Sequence, residues 1–186
     1  MALVGCGSTS KPEITVIKFC DALKTFAMET AATCFVSEDV DIEGLVVEEN
    51  TDNTEFMACL KKWSSELTYT VGTTDVKGDI TVVPVDFTYV DVSTIFAEAI
   101  EEYMFQALVL AFSGAEDAEL EDLFGYIFMG KAETVSTETT TITVEFECIK
   151  KGNKWVILEL SDDADYKISN IISSNMIMLM DTLEEG

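Results

Sequence analysis

With 35 acidic residues against 11 cations, every one a lysine, this 186-residue chain carries a net charge of −24 while 48% of its residues are hydrophobic. That apolar content suits one folded domain burying roughly 70% of its unfolded surface, whereas the charge and the lack of arginine exclude a nucleic-acid partner and repel an anionic membrane. With no histidine, Ser-His-Asp and Cys-His catalysis, histidine general bases and the common histidine-containing zinc sites are removed, and no GxxxxGKS/T or GxGxxG run calls for a nucleotide or other cofactor.

The chain opens on Leu3-Val4-Gly5-Cys6, followed by Gly7-Ser8-Thr9-Ser10. This resembles the lipobox at which bacteria cut an exported precursor and lipidate the new N-terminal cysteine, here Cys6. Only Met1 and Ala2 precede it, short of a positive n-region and an apolar h-region of about 7–15 residues. Residues 1–10 are therefore expected to be a truncated lipobox and flexible tether, with residues 11–186 forming a single domain. Acylation of Cys6 by more than one chain would anchor that domain stably to the extracellular face of a bacterial cell membrane.

Lys11-Pro12-Glu13 predicts a helix start, with Pro in the first turn, and Ile14, Ile17, Phe19, Leu23 and Phe26 supply its apolar face. A break at Ala27-Met28 leads to a second short helix carrying Ala31, Ala32 and Phe35. A third helix is expected over 54–64, with Phe56, Leu60 and Trp63 on one side. Strands follow: Leu67, Tyr69 and Val71 alternate with polar residues from Glu66, and Val83, Val85, Phe87 and Tyr89 do so over 80–90, where Pro84 suggests an edge or a bulge.

Ser93 is placed to cap a long helix over 94–112 that buries Phe96, Ile100, Tyr103, Met104, Leu108 and Leu110 while Glu98, Glu101 and Glu102 face water. Ser113-Gly114 ends it, and a partner helix over 116–129 completes an αα-hairpin. Ile142, Val144, Phe146 and Cys148 then alternate with polar residues up to Lys151-Gly152-Asn153, a turn returning the chain through Trp155, Ile157 and Leu160 as a β-hairpin. A C-terminal helix over 165–183 carries Ile168, Ile171, Ile172, Met176, Leu179 and Met180. Helical spacing favours core packing over recognition for its methionines.

The first helix, Ile14-Thr15-Val16-Ile17-Lys18-Phe19-Cys20-Asp21-Ala22-Leu23-Lys24-Thr25-Phe26, two short helices before a sheet, and the strand Lys154-Trp155-Val156-Ile157 together resemble NTF2-like/cystatin-like lipoproteins of unknown function from Firmicutes. The likeness runs over Glu13 to Leu160. Such proteins commonly place an Asp at the break after helix 1, where it caps helix 2; Ala27 stands there in this chain and forgoes about 0.5–2 kcal/mol of capping. The resemblance implies an α+β fold, a curved antiparallel sheet packed on helices, with the αα-hairpin inserted and the C-terminal helix added. It also implies a concave pocket that some relatives use for catalysis or ligand binding.

Trp63, Tyr69, Tyr89, Tyr103 and Trp155 are the aromatics available to line such a pocket, and equally serve as ordinary core. Asp39-Val40-Asp41-Ile42-Glu43-Gly44 matches the first half of a calcium loop, with Asp39, Asp41 and Glu43 as weak ligand candidates; Asn50 stands where the bidentate Glu belongs, so a solvated connector explains the run better. Asp162-Asp163-Ala164-Asp165 is better explained by helix capping. Apart from Cys6, four cysteines remain: Cys20, Cys34, Cys59 and Cys148. Buried thiols are the favoured reading and disulfide pairing stays open.

No catalytic residue stands out. The expected role is noncatalytic binding of a small ligand or an envelope protein. The alternatives are a carboxylate- or tyrosine-based hydrolase or isomerase in the sheet cavity, and a structural, self-associating surface module. A filled cavity with a large exposed apolar patch would favour the last.

Overall fold

The computed structural model describes residues 11–37, 54–113, 123–134 and 138–179. Its sheet is built on β3 (Ile80–Asp91), which pairs antiparallel along its whole length with β4 (Glu138–Lys151), from Ile80 opposite Ile149 to Asp91 opposite Glu138. On the other side of β3 lie β1 (Thr68–Val71), paired with its later half, and β2 (Asp75–Lys77), paired with its start. β5 (Lys154–Ile157) continues the sheet beyond β4. Both two-residue hairpin turns begin with a glycine at positive φ, Gly78 (67°) before β3 and Gly152 (65°) before β5, which is how short turns match strand twist.

Pro84 therefore sits in a central strand, not at an edge. Its carbonyl accepts from Gly72 N–H at 2.8 Å, so its nitrogen, which has no hydrogen to give, points to the same side, into the gap between β1 and β2. A side chain at Gly72 would meet Pro84 Cγ at 3.0 Å. The chain can cross the proline this closely only because residue 72 is a glycine.

One face of the sheet is covered by α1 (Pro12–Lys24) and by α6 (Asp162–Ser173). Phe19 of α1 is fully buried, its ring 5.3 Å from Phe146 and 5.4 Å from Phe35 in edge-on contacts. The buried stripe of α1 is Val16, Phe19, Cys20 and Leu23, at i, i+3, i+4 and i+7. Ile14 and Ile17, expected on that stripe, are 57% and 38% exposed; they lie on an adjacent face that the same apolar letters cannot distinguish. The opposite face of the sheet presents Asp86, Thr88, Thr141, Thr143, Glu145 and Glu147, and Asp86 accepts from the Thr143 hydroxyl at 2.6 Å.

α1 ends with Phe26 in the left-handed region (φ 55°), Phe26 N–H donating to Leu23 O and Ala27 N–H to Ala22 O. That is a Schellman ending without its usual glycine. It directs the Phe26 ring to where it touches both core clusters of the molecule. Ala27 then opens α2 (Met28–Ala32) with no side-chain cap. Beyond α2, Phe35 and its neighbours pair with Ile157 and cover the β5 edge.

The second cluster gathers α3 (Thr54–Ser65), α4 (Ser93–Ser113) and α5 (Leu123–Thr134) around Trp63, Phe96, Phe124 and Phe128. Phe124 and Phe128 pack on Phe96 and Tyr103, and Lys131 bridges Glu98 and Glu102, so α4 and α5 run side by side as an αα-hairpin. The described part of α5 runs five residues past the expected end at Met129, and 114–122 lie outside the described residues.

The expected C-terminal helix starts earlier and is broken. Ser161 caps α6, its Oγ accepting from Ala164 N–H at 3.3 Å, with Asp162, Asp163 and Asp165 in the first turn where they complement the dipole. At Ser174 and Asn175 the backbone turns left-handed (φ 55° and 70°), and helical structure resumes over 176–179. Asn175 N–H donates to Asn170 O and Ser174 N–H to Ile171 O, repeating the hydrogen-bond pattern that ends α1.

We expect Phe19→Ala to destabilise the protein by about 3–5 kcal/mol and Ile14→Ala by no more than about 0.5 kcal/mol, read from urea unfolding midpoints. Equal losses would show that the α1 stripe is the one read from sequence.

Candidate functional site

The five aromatics named from sequence separate in three dimensions. Trp63 and Tyr89 come together with Leu23, Leu67 and Ser174 around a cavity of about 10 Å³, the lower limit for one water molecule. Tyr69 lies over the rim between β1 and α1, its hydroxyl donating to Asp21 Oδ1 at 2.6 Å. Tyr103 packs edge-on against Phe124 in the hairpin, and Trp155 lies half-buried beside the first cluster with its carbonyl accepting from the Thr15 hydroxyl. Asp39, Asp41, Glu43 and Cys6 lie outside the described residues.

Tyr89 belongs to a polar relay that joins three elements. Its hydroxyl donates to Asn175 Oδ1 at 2.7 Å, and Asn175 Nδ2 donates to Asp91 Oδ2 at 2.8 Å. Asp91 Oδ1 in turn accepts from the backbone N–H and hydroxyl of Ser93, at 2.9 and 2.6 Å. The acceptor that starts α4 is thus the carboxylate of Asp91, and Ser93, expected as the cap, is a donor to it. Val92 N–H donates to Ser174 O at 3.0 Å, and Asn170 Oδ1 receives Met178 N–H at 2.9 Å. These bonds hold the end of β3, the start of α4 and the break after α6 together.

The chemistry of this relay is structural. Burial, then the Asp91 charge, push the Tyr89 phenol up to about 12; burial and then Asp21 push Tyr69 up as well. A general acid or base works best with a pKa near the ambient pH, and both phenols are moved away from it. The cavity beside Tyr89 is about 10 Å³, too small for anything larger than a water molecule. Burial likewise raises the thiols of Cys20, Cys34 and Cys148, the last to about 12 with help from Glu13, so none is poised as a nucleophile. Cys20, Cys34 and Cys148 are buried free thiols. Among the described residues no three Cys, Asp or Glu side chains converge as a metal would require.

What sequence reasoning did not locate is an exposed apolar face on α4. Met104, Phe105, Leu108, Val109 and Phe112 are each between 53% and 85% exposed. Met104 and Leu108 had been expected in the core. The signal was present: from Tyr103 to Ser113 the helix has no charged residue and only Gln106 and Ser113 interrupt its run of apolar and aromatic side chains, a circumference wider than one packing partner can cover. α5 covers the side carrying Phe96 and Tyr103, and on the opposite side no described residue covers these five side chains. No helix among the described residues is long and apolar enough to cross a membrane.

Because the Tyr89 phenol is raised in the folded protein, its contribution is complete below the ordinary tyrosine value of about 10 and is lost as pH climbs from there toward 12. We expect Tyr89→Phe to cost about 1 kcal/mol at neutral pH and to flatten part of the fall in urea midpoint between about pH 9.5 and 11.5. An unchanged alkaline slope would show that Tyr89 is not held protonated.

No family model matches the chain, and no curated protein matches it. Among solved structures it is similar to YcdA, described as a candidate lipoprotein from Bacillus subtilis, with a TM-score of 0.46 and 12% identity. The match covers 86% of this chain and 58% of that one, so this chain spans little more than half the length of the protein it resembles.

Proposed function

We propose that this protein is a noncatalytic protein-binding domain, carried at the outer face of a bacterial membrane by lipid on Cys6, and that it makes its contacts through the α4–α5 hairpin. The observation that carries this reading is the uncharged, exposed face of α4. With aromatic side chains presenting about 150–250 Å² each, its five large residues expose on the order of 600 Å², the upper end of what a monomer leaves bare and a mark of interaction sites.

The packing of the sheet supports the same reading. An NTF2-like/cystatin-like arrangement, with an antiparallel sheet wrapped on an N-terminal helix, fits α1 and its strands, with the hairpin inserted and α6 added. In this chain the covered face is filled by Phe19, Phe87 and Phe146, all fully buried, and the cavity beside Tyr89 is water-sized. Binding is therefore assigned to the outside of the domain. The anchor rests on Leu3-Val4-Gly5-Cys6 and the small polar residues behind it.

Replacement of Phe105 by the photo-crosslinker p-benzoylphenylalanine in the cells that make the protein is expected to yield covalent adducts with protein. The same probe at Asp86, on the polar sheet face, is expected to yield none. Adducts from position 86 alone, or lipid adducts alone at 105, would overturn the assignment.

A further inference from the structure

We infer that the occupant of the exposed α4 face is a second copy of this chain, bound antiparallel about a two-fold axis near Leu108. This rests on the reading of that face as a contact surface and names its partner. Glu101, Phe105, Leu108 and Phe112 follow one another at spacings of four, three and four, the seam along which helices pair. Met104 and Val109 flank that seam, and all five apolar members are exposed. Complete burial of two such faces would remove on the order of 1,200 Å² at most, which reaches the lower bound for a specific interface. A two-fold interface sets the same patch against itself, so an apolar surface finds an apolar partner.

Charge decides the orientation. Each copy carries −24, and a parallel pair would set Glu98, Glu101 and Glu102 of the two copies side by side. Antiparallel pairing about Leu108 separates the two Glu101 side chains by about 21 Å along the helices, well beyond a screening length of about 8 Å at physiological salt. The helix is uncharged from Tyr103 to Ser113, the stretch that such pairing overlaps. A membrane is the less suited occupant. α4 carries no lysine to reach an anionic headgroup, and the one lysine of the hairpin, Lys131, is engaged by Glu98 and Glu102.

The test is sedimentation of the 186-residue chain carrying Cys6→Ser, at about 100 µM in ~0.15 M and ~0.5 M salt. The expected result is a dimer of twice 20.5 kDa, tighter at the higher salt because the net charges are screened. Phe105→Glu with Phe112→Glu, both at exposed positions, should weaken it at least about 30-fold with an unchanged thermal unfolding curve. Leu108→Cys should crosslink to itself under mild oxidation, and Glu101→Cys should not. A monomer under all conditions overturns the dimer, as does a dimer indifferent to the Phe105/Phe112 changes, or a Glu101→Cys crosslink in place of the Leu108→Cys one. If the chain is monomeric while Phe105 crosslinks to other proteins in cells, only the second copy is overturned. If it is monomeric and gives no protein adduct, or instead floats with phosphatidylcholine vesicles through Phe105 and Phe112, the protein-binding assignment falls with it.

Discussion

The ladder between β3 and β4 is the constraint on which the rest of this structure depends. It joins twelve residues on each strand in one unbroken register, and because side chains alternate strictly across a strand, that register decides which residues form the core and which face water. Val83, Val85 and Phe87 meet Phe146, Val144 and Ile142 on the covered face. α1 and α6 pack there, and β1, β2 and β5 extend what the ladder begins. A one-residue slip of β4 would put Glu145 and Glu147 beneath α1.

The relay through Tyr89, Asn175 and Asp91 connects this sheet to the hairpin. The carboxylate of Asp91 ends β3, starts α4 and receives the side chain of Asn175, so the direction in which α4 leaves the sheet is set by hydrogen bonds that are all satisfied. Asn170 and Asn175 form the turn that delivers this side chain, with two successive left-handed residues and no glycine. Backbone of that kind persists only where surrounding contacts over-determine it. Phe26 does the equivalent at the end of α1. Two helix ends are thus held in a costly conformation, and in each case a side chain is placed where two parts of the molecule meet.

Much of this was legible in the sequence. The alternation of Val83, Val85, Phe87 and Tyr89, and of Ile142, Val144, Phe146 and Cys148, predicts the two main strands because period two has a single structural meaning when sustained. β2 was not visible: Asp75, Val76 and Lys77 are all exposed and carry no alternation. The faces of α1 and α4 were misjudged for a common reason. Where apolar residues surround a helix, their order says nothing about which side is covered, and Ile14, Met104 and Leu108 were read as core that the neighbours do not reach. The break after α6 was hidden because Ser174-Asn175 lacks the glycine that marks a helix end. Trp63 and Tyr89 do meet, but sequence cannot report the volume between them, and that volume decides between a pocket and a packed core.

The buried thiols have a consequence for where this fold can exist. Cys20, Cys34 and Cys148 occupy the interior as small apolar groups, protonated and shielded from oxidants, so the core they help to fill is held by packing without a covalent staple. With the three thiols accommodated in reduced form, the packing of that interior calls for no oxidant.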